Sequence, residues 1–195
     1  MTTLARRVGG LVLAAGAGRR MGRPKAFLRL DGRTFADRAV QALLDGGCRR
    51  PVQAVVQPGT ELPGSVVSTP NPLWAEGMST SLRLGLIELS VRGDDAAVVT
   101  LVDTPLVSGE HVRRLVSAWA DGARVAVASY GGVLRTPVLL GYEHWLAATG
   151  LAVGDVGARP FLEAHPELVV SVECGDLGPW HDVDNAQDLA ALADE

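Results

Sequence analysis

Gly16, Gly18, Arg20 and Lys25 combine backbone freedom with positive charge in one short segment, directly after the apolar run Val8–Leu13. That run has the length and apolarity of a strand buried on both faces, and Gly16 and Gly18 let the backbone take positive φ and approach a ligand closely. Successive N–H groups in such a turn form a concavity for anions, and Arg20 and Lys25 add full charges beside it. The chemistry suggested is the grip of a polyphosphate; the plain alternative is a strand, a flexible turn and a solvated basic loop. Farther along, Asp103 follows the apolar run Ala96–Val102, and Asp184 lies in His181-Asp-Val-Asp-Asn-Ala-Gln-Asp188. Magnesium takes one or two carboxylates together with phosphate oxygens and water, so an acid at a strand end is a candidate ligand. The competing reading makes Asp103 a turn or N-cap residue and Asp184 the cap of a final helix, with Asp182 on the other side of a short strand. Asp188 reads as a solvated helix residue.

Spacing separates this loop from three rivals. A P-loop needs a Gly-Lys pair, and none occurs. A dinucleotide fingerprint needs two residues between its last glycines, whereas Gly18 and Gly22 leave three, and the next strand ends at Gln57 where an acid would hold a ribose. A signal peptide fits Arg6 and Arg7 before an apolar stretch, but Gly9 and Gly10 break that stretch and four further cations follow it.

These residues must be carried by one core. The chain has 195 residues, 47% of them hydrophobic, which suits a single domain spanning 1–195. Eighteen basic residues against 22 acidic ones give a net charge of −4, which argues against a nucleic-acid partner. No segment reaches the ~18 apolar residues of a membrane span. Cys48 and Cys174 are far apart with no ligand spacing, as expected for reduced thiols in a cytoplasmic protein.

Short valine-rich runs at 8–13, 52–56, 66–67, 96–102, 125–128, 133–140 and 168–172 read as strands. Helical periodicity follows Thr34, a plausible N-cap, and recurs at Met78–Leu89, at Val112–Trp119 and at Ala186–Ala193. The alternation predicts a three-layer α/β/α, Rossmann-like fold with a mostly parallel sheet. Tyr130-Gly131-Gly132 between two strand runs predicts a hairpin and hence one antiparallel strand. In such sheets ligands sit beyond the carboxyl ends of strands. The rule selects the loop after Leu13, the segment Asn71–Ser81, Asp103, and the region Asp182–Asp184.

Taken together, Leu13-Ala-Ala-Gly-x-Gly-x-Arg20-Met-Gly-x-Pro-Lys25, Asp103-x-Pro105 and Asp182-Val-Asp-x-x-x-Asp188 resemble the nucleotidyltransferases of the molybdenum cofactor family. Asn71-Pro-Leu-Trp-Ala-Glu-Gly-Met-Ser-Thr-Ser-Leu82 is similar to that family's segment near the nucleotide base, and Gly154-Asp-Val-Gly-Ala-Arg159 to its acceptor segment. Leu-Ala-Ala-Gly resembles the cytidylyl branch more than the guanylyl branch. The resemblance implies that Leu13, Ala14, Ala15, Gly16, Gly18, Arg20, Lys25 and Asp103 hold a nucleoside triphosphate, CTP in preference to GTP, with Gly77 and Ser81 near base and ribose. It implies Mg2+ on Asp103 and Asp184, catalysis by Arg20, Lys25 and Asp103, and an acceptor bound by Gly154, Asp155, Gly157 and Arg159. That acceptor is a phosphorylated, pterin-like molecule such as molybdenum cofactor. A monomer or small homo-oligomer is expected.

Arg135-Thr136 departs from the Gly-His that precedes proline in the cofactor cytidylyltransferases. Relatives known as nicotine blue oxidoreductases share the overall pattern, so NAD(P)H-dependent reduction is the alternative activity, and a nucleotide-binding regulator without turnover is a third. His111, His144, His165 and His181 show no nucleophile–base arrangement. Trp74 and Trp180, in loop segments, are candidates to line the pocket, whereas Trp119 belongs to the core.

Overall fold

The computed structural model describes residues 7–16, 18 and 21–193. The strands are β1 (Val8–Leu13), β2 (Arg29–Leu30), β3 (Arg33–Thr34), β4 (Arg49–Val56), β5 (Val66–Pro70), β6 (Ala96–Leu101), β7 (Val125–Tyr130), β8 (Val133–Gly141) and β9 (Val169–Glu173). The helices are α1 (Phe35–Asp45), α2 (Met78–Val91), α3 (Gly109–Ala120), α4 (Trp145–Leu151), α5 (Arg159–Ala164) and α6 (Ala186–Ala193).

Seven strands form one sheet in the order β5-β4-β1-β6-β8-β7-β9. Every neighbouring pair is parallel except those of β8, which runs antiparallel to both β6 and β7. The reversal is made by the Gly131–Gly132 turn, where both residues have positive φ (59° and 83°), as a two-residue hairpin requires. Alternation along β1 sends Val8 and Val12 into a core shared with α1 and α3, and Leu11 and Leu13 into a second core shared with α2, α4 and α5. The three layers therefore match the expected architecture. Thr34 does cap α1: its hydroxyl accepts the Asp37 N–H and the Asp37 side chain accepts the Thr34 N–H. The small β2–β3 hairpin was not among the expected elements, although Asp31-Gly32 supplies its turn with two positive-φ residues. Among the described residues no helix is long and apolar enough to cross a membrane.

The strand order decides where a ligand can sit. From β1 the chain moves to β4 and β5 on one side, then returns to β6 on the other side of β1. Such a reversal opens a crevice beyond the strand ends. Leu13, the last residue of β1, pairs with Leu101, the last of β6, so the loops after both strands leave the sheet side by side.

At the other side of this rim, Glu173 pins the β7–β8 hairpin. Its carboxylate accepts hydrogen bonds from Ser129 Oγ (2.7 Å), Gly131 N (3.1 Å) and Gly175 N (2.9 Å). These donors, the Ser129 hydroxyl foremost, hold its pKa down to about 2 from an ordinary 4.5. Because folding lowers the pKa, the stabilisation is complete above the unfolded value and is lost as pH falls through the folded one. Glu173→Gln should therefore be less stable than the parent in urea unfolding at neutral pH, with the gap closing as pH falls from 4.5 toward about 2. A gap that stays constant over this window would show that the charge of Glu173 contributes nothing.

Candidate functional site

Three hydrogen bonds fix the departure of the chain from β1. Ala14 N donates to Val55 O (2.9 Å), Val102 N to Leu13 O (3.2 Å), and Gln57 Nε2 to Ala15 O (3.1 Å). Gln57, at the position where a dinucleotide site would carry an acid, is thus committed to holding the loop. Of the two glycines expected at positive φ, Gly18 has it (56°) and Gly16 does not; Gly22 does (66°). A Cβ on Gly18 would stand 2.1 Å from Arg23 O, so the turn closes only with glycine there. Gly16 differs in kind: open space surrounds its missing side chain, and it lies on the wall of a cavity. Arg20 lies outside the described residues.

Lys25 then enters a short 3-10 turn and points back under the loop. Its Nζ donates to Asp103 Oδ2 (2.8 Å) and to Asp184 Oδ1 (2.7 Å), joining residues 78 and 159 positions away. Burial pulls the Lys25 pKa down, but the Asp103 and Asp184 carboxylates outweigh it, and the pKa lies above the usual lysine value. The ammonium is therefore a permanent charge. Asp103 Oδ1 is buried and has no hydrogen-bond partner. No helix begins at Asp103: Ser108 caps α3, and Thr104 closes the turn by donating from Oγ1 to Leu101 O (2.9 Å). The capping reading is therefore absent for this residue.

Asp184 does not cap α6 either. Asn185 does so, its Oδ1 accepting from Gln187 N (2.8 Å) and Asp188 N (3.1 Å). Asp188, expected to be solvated, folds back and accepts from Asp184 N (2.7 Å) and Asn185 N (3.0 Å), which hold its carboxyl below the usual range. Relieved of capping, the Asp184 carboxylate reaches Lys25. Val183 N donates to Asp103 O (2.9 Å), which seats this segment against the β6 loop.

On the far side of the cavity, Asn71 organises the segment before α2. Its Nδ2 donates to Thr80 Oγ1 and Ser81 Oγ, both at 2.9 Å, and its Oδ1 accepts from Leu73 N (2.9 Å). Neither Asn71 nor Gln57 was singled out as a site residue, yet both are polar residues immediately after strand ends. Gly77 (φ 115°) offers no side-chain cap to α2; instead Ser79 N donates to Gly154 O (2.9 Å). A Cβ on Gly77 would lie 2.3 Å from the Gly154 carbonyl carbon. The 154–157 turn is thereby locked onto the 71–81 segment.

These residues surround a cleft, open on one side, with a volume of about 360 Å³. Leu13, Ala15, Gly16, Lys25, Gly77, Ser81, Asp103 and Asp155 line it, as does Trp74. Ala14 is buried behind the wall, and Gly154 packs behind Gly77. Asp184 joins through Lys25 at the rim. Gly157 sits under Met78, and Arg159 starts α5 with its side chain exposed; neither lines the cavity. Two carboxylates converge here, and among the described residues no group of three metal-ligating side chains exists.

Residues 10–169 match the family model described as "MobA-like NTP transferase domain". Among characterised proteins the chain is similar to nicotine blue oxidoreductase of Paenarthrobacter nicotinovorans, with 34% identity over 95% of this chain and 96% of that protein. It is also similar to molybdenum cofactor guanylyltransferase of Cereibacter sphaeroides, 34% identical over 78% of this chain and 82% of that one. Its fold is shared by Rv0371c of Mycobacterium tuberculosis H37Rv, with a TM-score of 0.80, 20% identity, and 98% and 100% of the two chains covered. That protein has also been solved in complex with manganese (TM-score 0.75, 21% identity, the same coverage).

The close packing at Gly77 is open to measurement. Gly77→Ala combines backbone strain with overlap against Gly154 and should cost about 4 kcal/mol in urea unfolding. Gly64→Ala, also at positive φ but with no neighbour within 4 Å, should cost only about 1–2 kcal/mol. Equal losses would mean that the approach of Gly77 to Gly154 carries no constraint.

Proposed function

We propose, from the premise that this chain belongs to the MobA-like NTP transferase family, that it is a divalent-metal-dependent nucleotidyltransferase acting between a nucleoside triphosphate and a phosphate-monoester acceptor. The observation that carries this is the meeting of Lys25, Asp103 and Asp184 at a cavity beyond the ends of β1 and β6.

The acceptor's phosphate oxygen attacks the α-phosphorus of the triphosphate. The bond from that phosphorus to the oxygen bridging the β-phosphate breaks, and pyrophosphate leaves with the electron pair. A phosphate monoester has its second pKa at ~6 and is already mostly ionised near neutrality, so the chain supplies no general base. In keeping with this, the buried His111 is occupied by Ser108, whose N–H donates to its Nδ1 (3.1 Å). The obstacle is the mutual repulsion of two anions. Lys25 meets it with a permanent charge, and the open wall at Gly16 lets phosphate oxygens approach the backbone. Arg20, by family resemblance, adds a second cation. Asp103 and Asp184 would hold magnesium: Asp103 Oδ1 is unpartnered, and two carboxylates with spare oxygens suit a hard cation that also takes phosphate ligands. When bound, the ion offsets phosphate charge. Gly77 and Ser81 serve base and ribose, while Gly154, Asp155, Gly157 and Arg159 are assigned to the acceptor by family resemblance, Asp155 being the one of the four on the cavity wall; molybdenum cofactor is the proposed acceptor. The reaction is proposed to run in the cytoplasm.

CTP is the proposed donor. Leu-Ala-Ala-Gly, whose Ala15 is among the residues lining the cavity, supports this through its resemblance to the cytidylyl branch. GTP is the competitor, given the relative named a guanylyltransferase. The relative named nicotine blue oxidoreductase supports a second reading, reduction of a heteroaromatic dye by a nicotinamide cofactor. Against it stands Gln57, a residue without the carboxylate that a ribose would need and already bonded to Ala15.

Calorimetric titration with CTP and GTP, with and without magnesium, should give metal-dependent binding with CTP the tighter ligand. Asp103→Asn should lower pyrophosphate release at least about 100-fold while the circular dichroism spectrum stays unchanged. Undiminished release in that variant, or metal-independent oxidation of reduced nicotinamide by the parent, would overturn the proposal.

A further inference from the structure

Asp103 has strands on both sides. β1 and its glycine loop flank β6 on one side, and β8 flanks it on the other. The β6–β8 ladder ends at Val99↔Val138, two residues short of Leu101, which lines the cavity. At this place β8 is irregular. Val127 of β7 faces Val138, but Ala128 faces Arg135, which leaves Thr136 and Pro137 as extra residues in a bulge. Bulges re-aim side chains and are frequent beside active sites. Here Arg135 is turned over Trp180, its guanidinium carbon 4.8 Å from the ring centroid. Trp180 is three residues from Val183, which is bonded to Asp103 O.

Arg135 differs from the arginines whose charge is met by an acid within the fold. Arg49 and Arg114 meet carboxylates, at 3.2 Å to Asp94 and 2.6 Å to Asp176. Among the described residues Arg135 has no carboxylate partner, and its one hydrogen bond runs from Nη1 to the neighbouring Leu134 O (3.1 Å). Set over the indole and with one hydrogen bond of its own, the guanidinium has donors left for a forked contact with an oxyanion. Two further polar atoms of the same region, Trp180 Nε1 and Thr136 Oγ1, are buried without a partner. Buried donors left unpaired are uncommon in native proteins and point to an absent partner.

We infer that Arg135, set over Trp180 near the start of β8, is the specificity-determining fork that binds the phosphate monoester of an aromatic acceptor. This rests on the nucleotidyl-transfer reading and assigns the acceptor anchor to a residue of this chain's own, where its sequence departs from the family pattern. The donor enters along β1 and the acceptor along β8, so the two anions meet over Asp103 from opposite sides.

The test uses 4-methylumbelliferyl phosphate as a planar aryl phosphate, with 4-methylumbelliferone and inorganic phosphate as separate arms, in the presence of magnesium and an α,β-methylene triphosphate that cannot react. The aryl phosphate should bind, and more tightly than either other probe. Arg135→Leu should weaken that binding by about tenfold or more, and Arg135→Lys should restore it only in part, because an ammonium lacks the fork. Trp180→Phe should weaken it less, since a smaller ring still supports the guanidinium. All three variants should bind the triphosphate as the parent does. Equal aryl phosphate binding by parent and Arg135→Leu overturns the inference, as does a parent that binds the triphosphate but not the aryl phosphate. A parent that binds no triphosphate overturns the transfer reading itself and the acceptor role with it.

Discussion

The arrangement depends on keeping two carboxylates close together without letting them repel each other apart. Asp103 and Asp184 come from the middle and the end of the chain, and the Lys25 ammonium is the charge that lets them share a site. Like charges at such proximity would otherwise drive one acid to protonate or the segments to separate. Around this trio the rest follows in order. β1 and β6 end in register, the Val183–Asp103 hydrogen bond seats the C-terminal segment, and Asp188 and Asn185 take over the capping that would otherwise occupy Asp184. A triphosphate arriving at this place meets a lysine already committed to its charged state and acids with oxygens to spare.

Much of this was legible in the residues alone. The glycine loop, Lys25 and Asp103 lie at the ends of apolar runs whose length marks them as strands, and the rule that ligands gather beyond strand ends is independent of the order of those strands. Periodicity also gave α1, α2, α3 and α6, because an amphipathic face repeats within a window of a dozen residues, whereas the short α4 and α5 are too brief to show one. What stayed hidden depends on contacts between distant segments. Nothing in Asp188 announces that it turns back on its own helix start, since solvated and capping aspartates have the same neighbours in sequence. Gly16 and Gly18 look equivalent, but one is needed for its backbone angle and the other for the room beside it. The seating of Gly77 on Gly154 joins residues 77 positions apart and leaves no periodic trace.

In the proposed reaction, donor and acceptor sides differ in how they are built. The donor side is backbone: a loop anchored by Gln57 and Val55, and a glycine with open space beside it. The acceptor side is side chains on an irregular strand, and an indole under a guanidinium. Backbone geometry recognises what every nucleoside triphosphate has in common, whereas side chains on a bulge can be exchanged one at a time. The family name covers the first half of the site, and the individuality of this chain lies in the second.

The reversal of β8 has a consequence for how such a molecule can be remodelled. Because this strand alone runs against its neighbours, its beginning, and not its end, reaches the rim, and it brings the Gly131–Gly132 turn there with it. Residues inserted into or trimmed from that turn would change the rim there without shifting β1 or β6. A turn pinned by Glu173 can thus vary while Lys25, Asp103 and Asp184 stay as they are.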